Sequence, residues 1–121
     1  MGLKKHMGQY FRPINLDKKE YVCPWEIGGV AKLWEWCANC YAGIFPFLMR
    51  KSNESGGGDI HKDYATAGRW AEDRIALVGD YDESNLWNIA ENEYEDISEQ
   101  LVKDYNDFIG DDGLKLTYKQ K

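Results

Sequence analysis

The sequence predicts an α+β fold, a sheet of about four strands with two main helices packed on it in the order ββαβααβ. Three observations carry that expectation. Short segments near both ends alternate apolar and polar residues. Residues 29–49 and 94–109 each carry an apolar stripe at three- and four-residue spacing. Between the stripes, Arg74-Ile75-Ala76-Leu77-Val78 is a β-rich run bounded by Asp73 and Gly79.

Residues 9–16 and 20–23 flank the polar turn Asn15-Leu16-Asp17-Lys18-Lys19, which predicts a β-hairpin. Pro13 has no N–H for a ladder, so this first strand is expected at a sheet edge or at a bulge. Val30, Leu33, Trp34, Cys37, Tyr41, Ile44 and Phe45 predict one long helix from Gly29 to about Met49, ended or kinked at Pro46. Ser55-Gly56-Gly57-Gly58 makes residues 51–64 read as a mobile loop. The run 74–78 reads as a buried central strand. Ser84 caps a short helix to about Ala90. Tyr94, Ile97, Leu101, Tyr105, Phe108 and Ile109 line a second long helix that Gly110-Asp111-Asp112-Gly113 stops, and Leu114–Tyr118 alternates as a last strand.

The length of 121 residues fits one domain, taken as residues 7–121, with Met1–His6 reading as a leader or an upstream start. A hydrophobic share of 43 % and five Trp give enough buriable surface to exclude global disorder. The formal net charge of −6 is concentrated in the middle of the chain: residues 59–112 hold sixteen acidic side chains against four basic ones. That segment repels a phosphate backbone and makes nucleic acid a poor partner. A basic partner protein or a cation fits it better, although such a run also serves simply as a solvated helix face. No stretch approaches the ~20 apolar residues of a membrane span, the N-terminus has no signal-peptide core, and the cysteine number is odd. These features predict an intracellular, cytoplasmic protein that needs no cofactor.

Trp36-Cys37-Ala38-Asn39-Cys40 with Pro46 beyond it resembles the active-site turn of thioredoxin-like oxidoreductases. The resemblance implies Cys37 as nucleophile and Cys40 as resolving thiol. The chain departs from that family in three respects. The helical stripe encloses Cys37, no Gly-Pro separates the cysteines, and all three prolines (Pro13, Pro24, Pro46) lie in the first half, where the family needs a cis-proline in the second. Two cysteines packing as small hydrophobes is the plainer reading. Cys23, Cys37, Cys40 and His61 are zinc-ligand types, but the second close pair of a zinc site is missing. Asp80, Asp82, Ser84 and Glu91 follow the spacing of an EF-hand calcium loop, with Asn85 where that loop has Gly. A capped helix start explains the same residues. Hydrolase, P-loop and dinucleotide signatures are absent from the sequence.

The blocks Met7–Glu20, opening Met-Gly-Gln-Tyr with an Asn-Leu-Asp-Lys turn, and Gly68–Tyr81, containing Trp70-Ala71-Glu72-Asp73-Arg74-Ile75 and Gly79-Asp80-Tyr81, together resemble a group of small fungal and bacterial proteins. Glu72 departs from that pattern, which has Gly there. The resemblance implies a natural start at Met7 and carries no activity. Trp70, Asp73, Arg74, Asp80 and Tyr81 surround one strand, and if they converge they make a ligand pocket with Arg74 as an anion clamp. An Asp73–Arg74 surface pair beside a buried Trp is the alternative. The sequence thus leads to a non-enzymatic acidic interaction or accessory protein, with Trp70, Tyr81 and Trp87 as anchors for a basic partner. A thiol–disulfide oxidoreductase at Cys37/Cys40 and a calcium module at Asp80–Glu91 are the alternatives.

Overall fold

The computed structural model describes residues 8–52 and 56–120. Strand β1 (Phe11–Asn15) pairs antiparallel on one side with β2 (Glu20–Tyr21) and on the other with β3 (Ile75–Gly79). A short strand β4 (Glu95–Asp96) runs parallel to β2, giving the order β3-β1-β2-β4.

The hairpin forms where the turn residues place it. Asn15 is buried, and its Oδ1 accepts the N–H groups of Asp17 (2.9 Å) and Lys18 (2.8 Å), closing an Asx turn that Lys19 leaves at φ 57°. The strand positions are exchanged relative to expectation: β1 is central and β3 lies at the edge. The reason lies in the two-residue length of β2. The Pro13 carbonyl accepts the N–H of Val22, just beyond the end of β2. In an antiparallel strand a residue's N–H and C=O point to the same side, so Pro13's missing donor falls where the ladder has already ended.

The stripe at 29–49 is divided rather than continuous. Helix α1 (Leu33–Ala38) stops at Asn39, which is extended at φ −116° and ψ 154° and whose Nδ2 donates to the Glu35 carbonyl at 2.7 Å. A 3-10 turn (Cys40–Gly43) then leads into α2 (Ile44–Met49). The break shifts the helical phase, so α1 buries only Trp36 while Val30, Leu33 and Trp34 stay exposed. Pro46, expected to end a helix, stands in the first turn of α2, where its missing N–H would have had no intrahelical partner.

Of the expected mobile loop 51–64, residues 53–55 lie outside the described residues. Beside them Asp59 takes a two-pronged contact from Arg50 (2.8 and 2.9 Å), which with Ser52 and the Ile60 N–H holds its carboxyl well below the usual range. Helix α3 (Leu86–Glu93) begins after Asn85, a left-handed residue, with the Leu86 N–H donating to Ser84 Oγ. Helix α4 (Ser98–Ile109) starts later than its stripe predicts because Glu95 and Asp96 are drawn into β4. Gly110 ends it at φ 64°. No strand forms at 114–118. Leu116 is bonded in both directions to the Asn106 side chain (2.7 and 2.8 Å), and the Lys119 N–H reaches the Glu26 carbonyl. The expected order ββαβααβ is therefore corrected to two strands, two helices, then strand, helix, strand, helix, within the α+β class.

Alternation divides the sheet between two clusters. Val22, Leu77 and Phe11 face the larger one, with Trp36, Phe47, Trp70, Leu101 and Tyr105 from α1, α2, α4 and the segment before β3. Ile14, Tyr21 and Val78 face the smaller one with Ala90 and Leu86 of α3. In the larger core the 3-10 turn before α2 meets α4 at Gly43, where an added Cβ would lie 2.2 Å from the Tyr105 hydroxyl oxygen. Gly43→Ala is expected to cost about 1–3 kcal/mol by overpacking. In a Tyr105→Phe background the same change should cost less, as read by urea unfolding of the four chains.

Candidate functional site

Two charged side chains on neighbouring strands are buried on opposite faces of the sheet. Glu20 of β2 is 2 % exposed and lies on the larger-core face. Its carboxylate accepts the Trp70 Nε1–H at 2.9 Å and the Arg69 Nε–H at 2.9 and 3.0 Å, and pairs with Arg69 Nη2. Bonding to Glu20 raises the Arg69 pKa, against an opposing effect of burial. Arg69 stands at a cleft of about 480 Å³ whose walls also carry Glu95, Asp96, Glu99 and Lys103. Asp104, on the buried face of α4, accepts the Thr66 N–H (3.0 Å) and Oγ1–H (2.7 Å), tying the cleft's loop wall to its helix wall.

Arg12 of β1 is 1 % exposed and lies on the α3 face. Its Cζ sits 3.6 Å from the Trp87 ring centroid and 5.3 Å from that of Tyr21, and Nη2 is 3.8 Å from Glu91. Nε and Nη1 have no hydrogen-bond partner among the described residues. Burial lowers the Arg12 pKa, Glu91 opposes it, and the group remains a cation. Tyr21 beside it is pushed up to about 12, chiefly by burial and then by Asp96. Trp87 is also the inner end of a file of rings: Trp25 meets it at 6.0 Å and 77°, and Tyr10 meets Trp25 at 5.4 Å and 70°.

The residues singled out around β3 do not converge on one pocket. Trp70 is a core residue, 1 % exposed, so it offers no surface to a partner. Asp73 accepts from Asn15 Nδ2 and Lys18 Nζ, and Arg74 pairs with Asp17, both at the hairpin-turn end of β3. The surface pair of Arg74 is therefore with Asp17 and not, as the alternative had it, with Asp73. At the other end Asp80 Oδ1 accepts the Tyr10 N–H at 3.0 Å, with half-buried Tyr81 after it and Trp87 on α3. The two blocks Met7–Glu20 and Gly68–Tyr81 do come together over their described residues. They form the β1–β3 ladder and the contacts Asn15–Asp73, Asp17–Arg74, Glu20–Arg69, Glu20–Trp70 and Tyr10–Asp80.

Cys37 lies in the last turn of α1, the opposite end from the one whose dipole activates a thiol in the thioredoxin-like turn, and Cys40 opens the 3-10 turn. Both thiols are exposed and free, whereas Cys23 is buried. His61 is exposed. The calcium-loop residues are directed apart: Asp82 accepts the N–H and O–H of Ser84, Asp80 engages Tyr10, and Glu91 faces Arg12. Among the described residues no three His, Cys, Asp or Glu side chains are grouped to hold a metal ion, and no helix is long and apolar enough to cross a membrane.

Sequence reasoning missed Arg12, Glu20, Trp25 and Arg69. A signal existed for Arg12: it shares the period-2 face of the fully buried Ile14 in β1. Comparison with protein-family models, with curated proteins and with solved structures found no match to this chain.

The pairing of Glu20 with Arg69 predicts unequal costs for removing either partner. Arg69 is 39 % exposed and rehydrates when Glu20 is neutralised, whereas Glu20 is 2 % exposed beneath it. Arg69→Ala is expected to cost about 3–5 kcal/mol and Glu20→Gln about 1–2 kcal/mol in urea unfolding at neutral pH.

Proposed function

We propose that this protein is a non-enzymatic acidic interaction domain that binds a basic partner protein, alone or as an accessory part of a larger assembly. The observation that carries this reading is the cleft beside Glu20. Glu95, Asp96 and Glu99 stand on its walls against Arg69 and Lys103; Glu20 neutralises Arg69 and Glu99 pairs with Lys103 at 3.6 Å, which leaves Glu95 and Asp96 as the unoffset charge. The chain from residue 75 to residue 102 contains eight Asp and Glu and no Lys or Arg, so the cleft belongs to a continuous negative field. A cationic segment gains long-range attraction to that field and, within the cleft, carboxylates to pair with.

Fluorescence anisotropy with a labelled deca-lysine peptide tests this reading. Glu95→Lys combined with Glu99→Lys should weaken binding by about tenfold or more at low salt. Asp111→Lys combined with Asp112→Lys makes the same charge change on the far side of Gly110, and should leave affinity within about threefold of the native value. Equal losses from both pairs would mean that net charge alone attracts the peptide and that the cleft is not a site.

A further inference from the structure

A second cavity, of about 310 Å³, lies between α2 and the C-terminal half of α4, with residues 58–60 as a third wall. Its surface is mostly apolar. The Phe47 ring meets Tyr105 at 5.6 Å and 84° and Phe108 at 5.6 Å and 40°, with Pro46, Ile60 and Ile109 beside them. The charged pair on the lining, Arg50 and Asp59, is satisfied internally. Each Asp59 oxygen takes a bond from Arg50, and the Ile60 N–H and Ser52 Oγ–H add one more to each. A charged ligand would therefore be desolvated here without a counterion, which excludes ions and favours an uncharged occupant.

One polar side chain on this lining has no partner. Tyr105 is 5 % exposed, and its hydroxyl makes no hydrogen bond to any described residue. Arg12 Nε and Nη1 are the described side-chain atoms that are both unbonded and sealed off, so the Tyr105 oxygen is reached from the cavity it lines. It stands at the Gly43 end, where the lack of a side chain leaves it room. Burial raises the Tyr105 pKa, so at neutral pH the hydroxyl keeps its proton and can both donate and accept. A hydroxyl in an otherwise apolar cavity selects for a ligand oxygen, because a purely apolar ligand would cover it unpaired. The ring walls favour a flat aromatic body, which packs against them edge-on or tilted. The volume admits one or two rings, since an apolar cavity of ~150 Å³ already holds benzene. We infer that this cavity binds a small uncharged aromatic molecule carrying one hydroxyl, its ring against Phe47 and Phe108 and its oxygen on the Tyr105 hydroxyl. The inference goes beyond the acidic-binder reading and does not depend on it, since the cleft and this cavity share no lining residue.

Titration of p-cresol and of toluene into the isotope-labelled full chain at neutral pH, followed by two-dimensional amide NMR, tests it. p-Cresol is expected to shift the amides of residues 43–50, 58–60 and 105–109 along one saturable curve. Tyr105→Phe, which removes only the hydroxyl, should weaken p-cresol about five- to tenfold and change toluene by less than about twofold. Phe108→Ala, at a side chain 42 % exposed, should weaken both by about threefold or more. Glu95→Lys/Glu99→Lys should leave p-cresol affinity within about twofold, because the ligand is uncharged. The spectra of the free variants check folding, and Tyr105→Phe breaks no hydrogen bond, so it keeps the test decisive if Phe108→Ala unfolds. Equal p-cresol affinity in Tyr105→Phe and the native chain, or an equal loss for both ligands, would overturn the inference. So would shifts that do not saturate or that spread to exposed apolar residues elsewhere, such as Trp34. Self-association that Phe108→Ala abolishes, with no p-cresol binding, would assign this surface to contact between copies of the chain and also overturn it. None of these results changes deca-lysine binding, so the reading of the cleft stands or falls separately.

Discussion

Burying an ion is among the most costly steps in folding, and this chain buries two of opposite sign on adjacent strands, one on each face of a four-stranded sheet. Each is met by a tryptophan used in a different way. Glu20 takes the indole N–H of Trp70, a directed hydrogen bond to an anion, and Arg12 takes the ring face of Trp87, a diffuse attraction for a cation. These two contacts dictate much of the remaining arrangement. Trp70 and Arg69 must lie over β2, which fixes the segment before β3. Trp87 and Glu91 must lie over β1, which fixes α3 as the cover of the smaller core. The two ions differ in how completely they are satisfied. Both carboxylate oxygens of Glu20 have a donor, whereas two nitrogens of Arg12 have no acceptor among the described residues.

The same arrangement sorts the charge that the sequence concentrates after residue 75. With Arg12 buried and meeting only Glu91 of α3, and Arg69 committed to Glu20, these two cations leave the other carboxylates of α3, β4 and the start of α4 without an offset at the surface. The cleft and the ring file then lie on opposite faces, joined through the pair β1–β2.

The parts legible in the sequence are those whose signals are local. The Asx turn at Asn15, the glycine stop at Gly110 and the apolar stripe of α4 each act within a few residues, and each forms where its residues indicate. The rest depends on distant partners. Pro13 marks an edge only if its neighbouring strand is long, and β2 has two residues. Glu95 and Asp96 are exposed acids with no strand signature, and they pair because β2 lies beside them. The alternation at 114–118 is real, but the Asn106 side chain answers it instead of a ladder. In the site, Glu20 looked like the flank of a polar turn, since its partners stand 49 and 50 residues away.

A double-mutant cycle on Arg12→Met and Trp87→Leu, followed by urea unfolding, addresses the central claim most directly. If the indole face compensates the buried guanidinium, the two changes should couple by about 1–2 kcal/mol, because each removes the reason for the other. Additivity within about 0.5 kcal/mol would contradict the account, leaving Trp87 as ordinary packing over a cation that the fold tolerates for other reasons.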